Sequence, residues 1–231
     1  TLTIKANYQD GIVGKDDLTI KSGTYNITSS DDAIRGKDSV VIENGTFTIK
    51  AGGDGIKTTN ETDAKKGYIL IESGTYNITS DTDGIQAITN LEIDSGEFTI
   101  IAGGGATTVS TKGTVTSAKG LKAGSSILIN NITYTANTLD DAIHSNNSVE
   151  IKNGTLTIST GDDGIHADKS LIIDGGTIDI KKSYEGLESN KITINGGKVS
   201  VLASDDGINI NGGSTNSGNP SAVSGKVNND Y

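Results

Sequence analysis

The sequence has no cysteine, no methionine and no tryptophan, and it has only one proline in 231 residues. Without cysteine, no disulfide holds the fold and no thiol chemistry is available. The single proline and the 31 glycines indicate many tight turns and no stiff linker. These absences exclude a disulfide-stabilised domain and a cysteine-dependent enzyme, but they do not identify the compartment.

Long apolar runs and positive charge are also scarce. Hydrophobic residues make up 32% of the chain, and none of their runs approaches the roughly 18 residues that a membrane helix requires. The formal net charge is −10, which disfavours contact with phosphate backbones. We therefore expect no membrane insertion and no nucleic-acid partner, and we expect a bound cation.

One short phrase, Asp162-Asp163-Gly164-Ile165, recurs in close copies along nearly the whole chain. The second position of each copy is occupied in turn by Asp10, Asp32, Asp54, Asp83, Lys119, Asp141, Asp163, Glu185 and Asp206. Five of the eight steps between copies are 22 residues long and a sixth is 21. A fixed period in this range indicates a solenoid, whose stacked repeats form one domain.

A second pattern precedes most copies of the phrase: an alternating strand, a small turn and another alternating strand, as in residues 39–49. The isoleucine of the acidic phrase supplies a third, short strand. Three strands per 22-residue coil predict an all-β, right-handed parallel β-helix of about nine coils, stacked about 4.8 Å apart. We expect the β-helix to span residues 1–211, with a Gly/Ser/Asn-rich tail or cap at residues 212–231. The two longer steps predict insertions at residues 59–66 and 102–117.

Stacking also predicts the core. Two inward ladders of the first strand run from Leu18 to Ile192 and from Ile20 to Ile194. The second strand contributes the ladder Tyr25, Phe47, Tyr76, Phe98, Tyr134, Leu156, Ile178 and Val199. Because aliphatic residues share this slot, we expect its aromatic rings to form an internal stack and not a ligand surface.

The repeated carboxylates point to a divalent cation. Aspartate before glycine suits a tight turn, which explains single acids such as Asp10 but not the doubled ones. Calcium takes six to eight oxygen ligands, and acids one coil apart can share one ion, whereas hard oxygen donors disfavour zinc and copper. The predicted metal ligands are Asp31, Asp32, Asp54, Asp83, Asp140, Asp141, Asp162, Asp163, Asp205 and Asp206. We expect the strongest site at residues 140–163, and a second around Asp31, Asp32 and Asp54 that can extend to Asp83. A third, weaker site is expected where Glu185 joins Asp205 and Asp206.

Cations and both histidines of the chain stand beside these acids. The predicted ligand-binding side chains are Arg35, Lys57, Lys119, Lys122, His144 and His166. A row of cations and metal sites along a flat sheet suits an extended anionic polymer. Two alternatives stay open: an ordinary solvated face, and, for Lys119, an ammonium that neutralises its acidic neighbours.

The repeated D-D-[GA]-I and [NSG]-G-T-[FYL]-x-I elements, over nearly the entire chain, resemble a bacterial family of secreted carbohydrate-binding β-helix domains. That family is similar in fold to the family 9 polysaccharide lyases. The resemblance implies calcium on the aspartates named above, a plant cell-wall polysaccharide as ligand, and export to the cell surface or medium. Its members have been linked to cellulose and acidic sugars.

Three functions remain. The first is a monomeric, non-catalytic module for polygalacturonate or pectin-type polymers, and also for cellulose, with calcium bridging uronate to aspartate. The second is a calcium-dependent pectate lyase that acts by β-elimination, with Lys119, Lys122 or Arg35 as the base. The third is a surface adhesin in which calcium is purely structural. The sequence favours binding over catalysis, because the richest acidic cluster has histidines beside it and no obvious lysine.

Overall fold

The computed structural model describes residues 1–107 and 117–210. The described residues form 24 strands. In chain order these are β1 (Leu2–Ala6), β2 (Ile12–Gly14), β3 (Asp17–Ile20), β4 (Thr24–Ser29), β5 (Ile34–Gly36), β6 (Ser39–Ile42), β7 (Thr46–Ala51), β8 (Ile56–Thr58), β9 (Tyr68–Ile71), β10 (Thr75–Ser80), β11 (Ile85–Ala87), β12 (Asn90–Ala102), β13 (Leu121–Ala123), β14 (Ser126–Thr138), β15 (Ile143–Ser145), β16 (Ser148–Ile151), β17 (Gly154–Thr160), β18 (Ile165–Ala167), β19 (Ser170–Ile173), β20 (Thr177–Ser183), β21 (Leu187–Ser189), β22 (Ile192–Ile194), β23 (Lys198–Ala203) and β24 (Ile208–Asn209). The predicted tail at residues 212–231, and residues 108–116 of the second predicted insertion, lie outside the described ranges.

The strands stack in parallel, coil on coil, and this confirms the predicted solenoid of about nine turns. The short strands that follow the acidic phrase form one sheet of 9 strands, and the longer strands form a second sheet of 15. The register reproduces the sequence period, since Ile12 pairs with Ile34 and Ile34 pairs with Ile56. No helix among the described residues has the length and apolar character needed to span a bilayer.

The core lies inside the coils and follows the predicted ladders. Leu18, Val40 and Ile69 are successive partners in the first strand of the coil, as are Ile20, Ile42 and Ile71. Because side chains alternate across a strand, every second residue points inward, and the central members of both ladders are buried. The same alternation places the intervening residues outside.

The predicted aromatic stack is present in the first four coils of its ladder. The rings of Tyr25, Phe47, Tyr76 and Phe98 stack at centroid separations of 4.8, 4.8 and 4.5 Å, with interplanar angles of 6° or less. Tyr134 pairs in register with Phe98 and is fully buried. Its hydroxyl donates a hydrogen bond across the coil to the carbonyl of Ala142.

Glycine allows the sharp corner between the first and second strands. Gly45 and Gly74 adopt φ values of 154° and 132° there, a region that favours glycine. In the middle of the solenoid, β12 and β14 each continue through the corner as one long strand. They pair with each other both before and after the corner. The coils are therefore stacked without a break at the corner.

Candidate functional site

The second acidic position of each phrase forms a ladder of carboxylates along the short-strand sheet. Asp32 Oδ1 accepts a hydrogen bond from the backbone N–H of Asp54 at 2.8 Å, and Asp54 Oδ1 accepts one from Asp83 at 2.8 Å. Asp141 accepts from Asp163 in the same way at 3.1 Å. Each carboxylate thus satisfies a backbone donor of the next coil, which explains why an acid recurs here even without a metal.

The predicted cationic side chains lie on the second oxygens of this ladder. The Arg35 guanidinium is 2.7 Å from Asp10, and the Lys57 ammonium is 2.7 Å from Asp54. The Lys122 ammonium is 3.0 Å from Asp83. These three cations therefore neutralise acids of the protein itself, and their charge is not free to attract an anionic polymer.

Lys119 lies within the cluster that the sequence predicted to be the strongest calcium site. Asp140, Asp141 and Asp162 do converge, but the Lys119 ammonium is 2.8 Å from Asp140 and 2.6 Å from Asp141. Burial alone would lower the pKa of Lys119, but the charges of Asp141 and Asp140 raise it above its ordinary value. Lys119 is therefore a buried cation that neutralises part of the charge of these carboxylates.

Two further groups of carboxylates come together. Asp10, Asp31 and Asp32 form one, where the Arg35 guanidinium already pairs with Asp10. Glu185, Asp205 and Asp206 form the other. The Glu185 carboxylate accepts two 2.8 Å hydrogen bonds from the Asn209 amide, and no lysine or arginine ion pair reaches this group from the described residues. Its donor set is all oxygen and mostly exposed, which fits calcium best among the acidic groups. Asp54 and Asp83, by contrast, follow the ladder without joining a cluster of three.

The two histidines stack on successive coils, as predicted. His144 Nδ1 is 2.9 Å from Asp141 Oδ2, and its Nε2 is 3.0 Å from the Asn146 side-chain oxygen. The His166 ring meets the His144 ring edge to face at 4.8 Å. Asp163, which was predicted as a calcium ligand, groups with His166 and Glu188 and not with the Asp140 cluster.

Burial and mutual repulsion raise the pKa of several acids in and beside the ladder. Burial is the main cause for Asp32 and Asp162, whose pKa values rise to about 6, and for Glu185, whose pKa rises to about 7. The pKa of Asp163 is also raised, by burial and then by the neighbouring Asp141. These buried carboxyls therefore hold a proton more readily than free acids do.

A second surface, which the sequence analysis did not identify, lies on the outward positions of the second strand in each coil. We name it the threonine face. Its two columns are Thr24, Thr46, Thr75, Glu97, Thr133, Thr155, Thr177 and Lys198, and Asn26, Thr48, Asn77, Thr99, Thr135, Thr157, Asp179 and Ser200. Most of these side chains are exposed. The alternation of the second strand, which predicted the inward ladder, also places these residues on the outside of the coil.

A shallow groove borders the threonine face at the corner of the middle coils. It has a volume of about 510 Å³ and is lined by the side chains of Ser95, Asn131, Thr133, Asn153 and Thr155 among others. Hydroxyl and amide groups that repeat once per coil offer both hydrogen-bond donors and acceptors. This arrangement can hydrogen-bond a polyhydroxylated chain that lies along the solenoid axis.

A parallel β-solenoid with a regular, exposed hydroxyl surface defines a repeat protein built to contact an extended ligand. The chain belongs to the family of carbohydrate-binding domain-containing proteins, which matches residues 1–164 and again residues 162–207. No curated protein and no solved structure matches the chain. The family membership supports a polysaccharide as the partner.

Proposed function

We propose that the protein is a non-catalytic module that binds extended plant cell-wall polysaccharides along the solenoid axis. Cellulose-type chains would bind through hydroxyl contacts alone, and pectin-type acidic chains would bind with the help of calcium. Such polymers lie outside cells, so the proposal includes export to the cell surface or medium. A monomer suffices, because the whole surface belongs to one chain.

The threonine face is the observation that carries the proposal. Its columns place a hydroxyl or amide group on almost every coil, at the regular spacing of a parallel sheet. A glycan chain parallel to the axis meets a similar group with each successive sugar. With no tryptophan in the chain and four of the nine Tyr and Phe rings in the internal stack, hydrogen bonds are the better-supported mode of recognition.

The proposal places calcium at one acidic group only. Glu185, Asp205 and Asp206 would hold the ion, since Asp205 and Asp206 are exposed to solvent and no lysine or arginine of the described residues pairs with the group. A calcium ion there would bridge the protein to a uronate carboxylate, which an acidic surface otherwise repels. This site lies at the last coils, so an acidic chain would be anchored at one end of the threonine face.

The state of the candidate bases argues against lyase activity. A base that abstracts a proton must itself be unprotonated, and Lys119 has its pKa raised by Asp141 and Asp140 despite its burial. Arg35 and Lys122 are each in an ion pair with a ladder carboxylate. All three cations are therefore paired with carboxylates of the protein itself, and binding is better supported than catalysis.

Co-sedimentation with insoluble cellulose and with calcium-gelled polygalacturonate tests the proposal. Thr135→Ala combined with Thr155→Ala removes two hydroxyls from the threonine face, and we expect a weakening of about thirtyfold for both polymers, at roughly 1 kcal/mol for each lost hydrogen bond. The matched control is Thr19→Ala with Thr193→Ala, which removes two hydroxyls from the first-strand surface. If the polymers retain the threonine-face variant and the control variant equally, the ligand does not bind at the threonine face.

Calcium is tested separately by repeating the assay in EDTA with polygalacturonate coupled covalently to beads, which stays insoluble without calcium. We expect EDTA, or Asp205→Asn with Asp206→Asn, to abolish retention of the uronate polymer and to leave cellulose retention unchanged. If uronate retention survives both treatments, calcium bridging is wrong. Absorbance of unsaturated products in the same samples would reveal a lyase.

A further inference from the structure

His166 is surrounded by carboxylate oxygens that are too distant for direct hydrogen bonds. Its Nδ1 atom is 3.5 Å from Glu188 Oε2, 3.6 Å from Asp163 Oδ2 and 3.8 Å from Asp141 Oδ2. Ordinary hydrogen bonds to nitrogen are 2.7–3.2 Å long. The ring nitrogen therefore faces three oxygens across a gap.

These separations match the spacing of ligands around one metal ion. Zinc binds histidine nitrogen and carboxylate oxygen at about 2.0–2.2 Å, so two ligands of one tetrahedral ion stand about 3.4 Å apart. Asp163, His166 and Glu188 each present a ligand atom within 4.8 Å of the other two. The gap has the size that a small divalent ion fills.

The charges around this cluster differ from those along the rest of the ladder. Asp10, Asp54 and Asp83 each face an arginine or lysine of the outward column. Across the described ranges, the ion pairs of Asp163 involve only His166. Burial, the charge of Asp141 and a hydrogen bond to the Glu188 carboxyl raise the pKa of Asp163, so a cation bound here would take the place of a proton that the two carboxyls share. A bound cation would supply the positive charge that the outward column supplies in earlier coils.

We propose that Asp163, His166 and Glu188 bind a divalent transition-metal ion of the zinc type. An imidazole nitrogen suits zinc, nickel and copper, whereas calcium prefers oxygen alone. Asp141 is not a member of the ligand set, because its Oδ2 atom already lies 2.6 Å from the Lys119 ammonium. This site is separate from the all-oxygen group at Glu185, Asp205 and Asp206, and it does not depend on polysaccharide binding.

The fold holds the three ligands ready. His166 and Glu188 are direct partners in the pairing of β18 with β21, and Asp163 lies three residues before His166 in the same coil. The side chains of His166 and Glu188 are 17% and 13% exposed, so an ion reaches them from solvent. Little rearrangement is needed for binding.

Calorimetric titration of zinc into untagged, chelator-stripped protein tests the site. We expect binding that persists in excess calcium, and that falls about tenfold or more in His166→Ala and in the nearly isosteric Glu188→Gln. Gln86→Ala, in the same outward column but outside the cluster, serves as control and should bind as the native chain does. Cobalt provides a second readout, since its visible absorption band reports a nitrogen ligand and should vanish with His166→Ala.

His144→Ala tests whether the zinc ligand is His166 or the neighbouring His144. His144 Nδ1 is hydrogen-bonded to Asp141, so we expect zinc affinity to be unchanged. The proposal is overturned if zinc binds no better to the native chain than to His166→Ala, if calcium displaces it at equal concentration, or if His144→Ala abolishes binding. Circular dichroism of each variant checks that it is folded, so that a loss of zinc binding is not caused by unfolding.

Discussion

At Gly120, the side chain on the opposite wall of the coil leaves no room for any residue larger than glycine. A methyl group placed on Gly120 would overlap the Tyr134 hydroxyl and come within 2.5 Å of the Ala142 carbonyl oxygen. Overpacking of this kind costs about 1–3 kcal/mol. We therefore expect Gly120→Ala to lower the free energy of unfolding by that amount, measured by urea denaturation.

The chain provides a matched control for this prediction. Gly207 occupies the same position of the phrase in the last coil, and a methyl group there meets nothing within 4 Å. Gly207→Ala should change stability by no more than about 0.5 kcal/mol. Adding Tyr134→Phe to Gly120→Ala should recover part of the loss, and equal losses at Gly120 and Gly207 would contradict the steric explanation.

Single residues also show where reasoning from the sequence succeeded and where it stopped. The period of two predicted the inward isoleucines and the aromatic stack, because core positions repeat the same chemistry in every coil. It left open whether Lys119 neutralises its acidic neighbours, because the direction of a long side chain depends on its neighbours in space. The ladder aspartates were found by their spacing, but their backbone partners in the next coil were not.

At the scale of the element, acids of the ladder in the short-strand sheet form ion pairs with cations of the outward column. Asp54 is 2% exposed, and its Oδ2 atom lies 2.7 Å from the Lys57 ammonium. Removal of one partner from a buried pair leaves an uncompensated charge. The pairing of cation and acid therefore stabilises the sheet, in addition to its hydrogen bonds.

Lys57→Gln tests the contribution of this pairing. We expect the free energy of unfolding to fall by about 3 kcal/mol, and Asp54→Asn in the same chain to restore most of it, because the amide oxygen still accepts the Asp83 N–H. Lys50→Gln, on an exposed position of β7, is the control and should be neutral. If Lys57→Gln unfolds at the same urea concentration as the native chain, the ion pair contributes nothing measurable.

The longer strands show a similar division between what the sequence predicted and what it did not. Their alternation predicted two arms in each coil and a glycine corner in most coils, and the structure has both, although Ile132 takes the glycine position in β14. The threonine face was overlooked because threonine is common in strands for its own sake, so no single copy is distinctive. Only the register across eight coils shows that these hydroxyls form continuous columns.

At the scale of the whole molecule, buried acids make the stability of this chain, whose net charge is −10, depend on pH. The pKa values of Asp32 and Asp162 are raised to about 6 and that of Glu185 to about 7, mainly by burial. A carboxyl with a raised pKa binds its proton more tightly in the folded state than in the unfolded chain. Its contribution to stability is present near pH 4 and is lost as the pH rises through 6 to 7.

We therefore expect the melting temperature in EDTA to be higher at pH 5 than at pH 7.5, measured by circular dichroism. Glu185→Gln should flatten part of this slope, because it removes one of the carboxyls with a raised pKa. Below pH 4 the trend should reverse, since His144 and Lys119 hold the pKa of Asp141 well below its usual range despite its burial. Calcium at pH 7.5 should recover part of the lost stability by binding the ionised acids. A melting temperature that is flat or rising between pH 5 and 7.5 would show that these carboxyls are not strained by their burial.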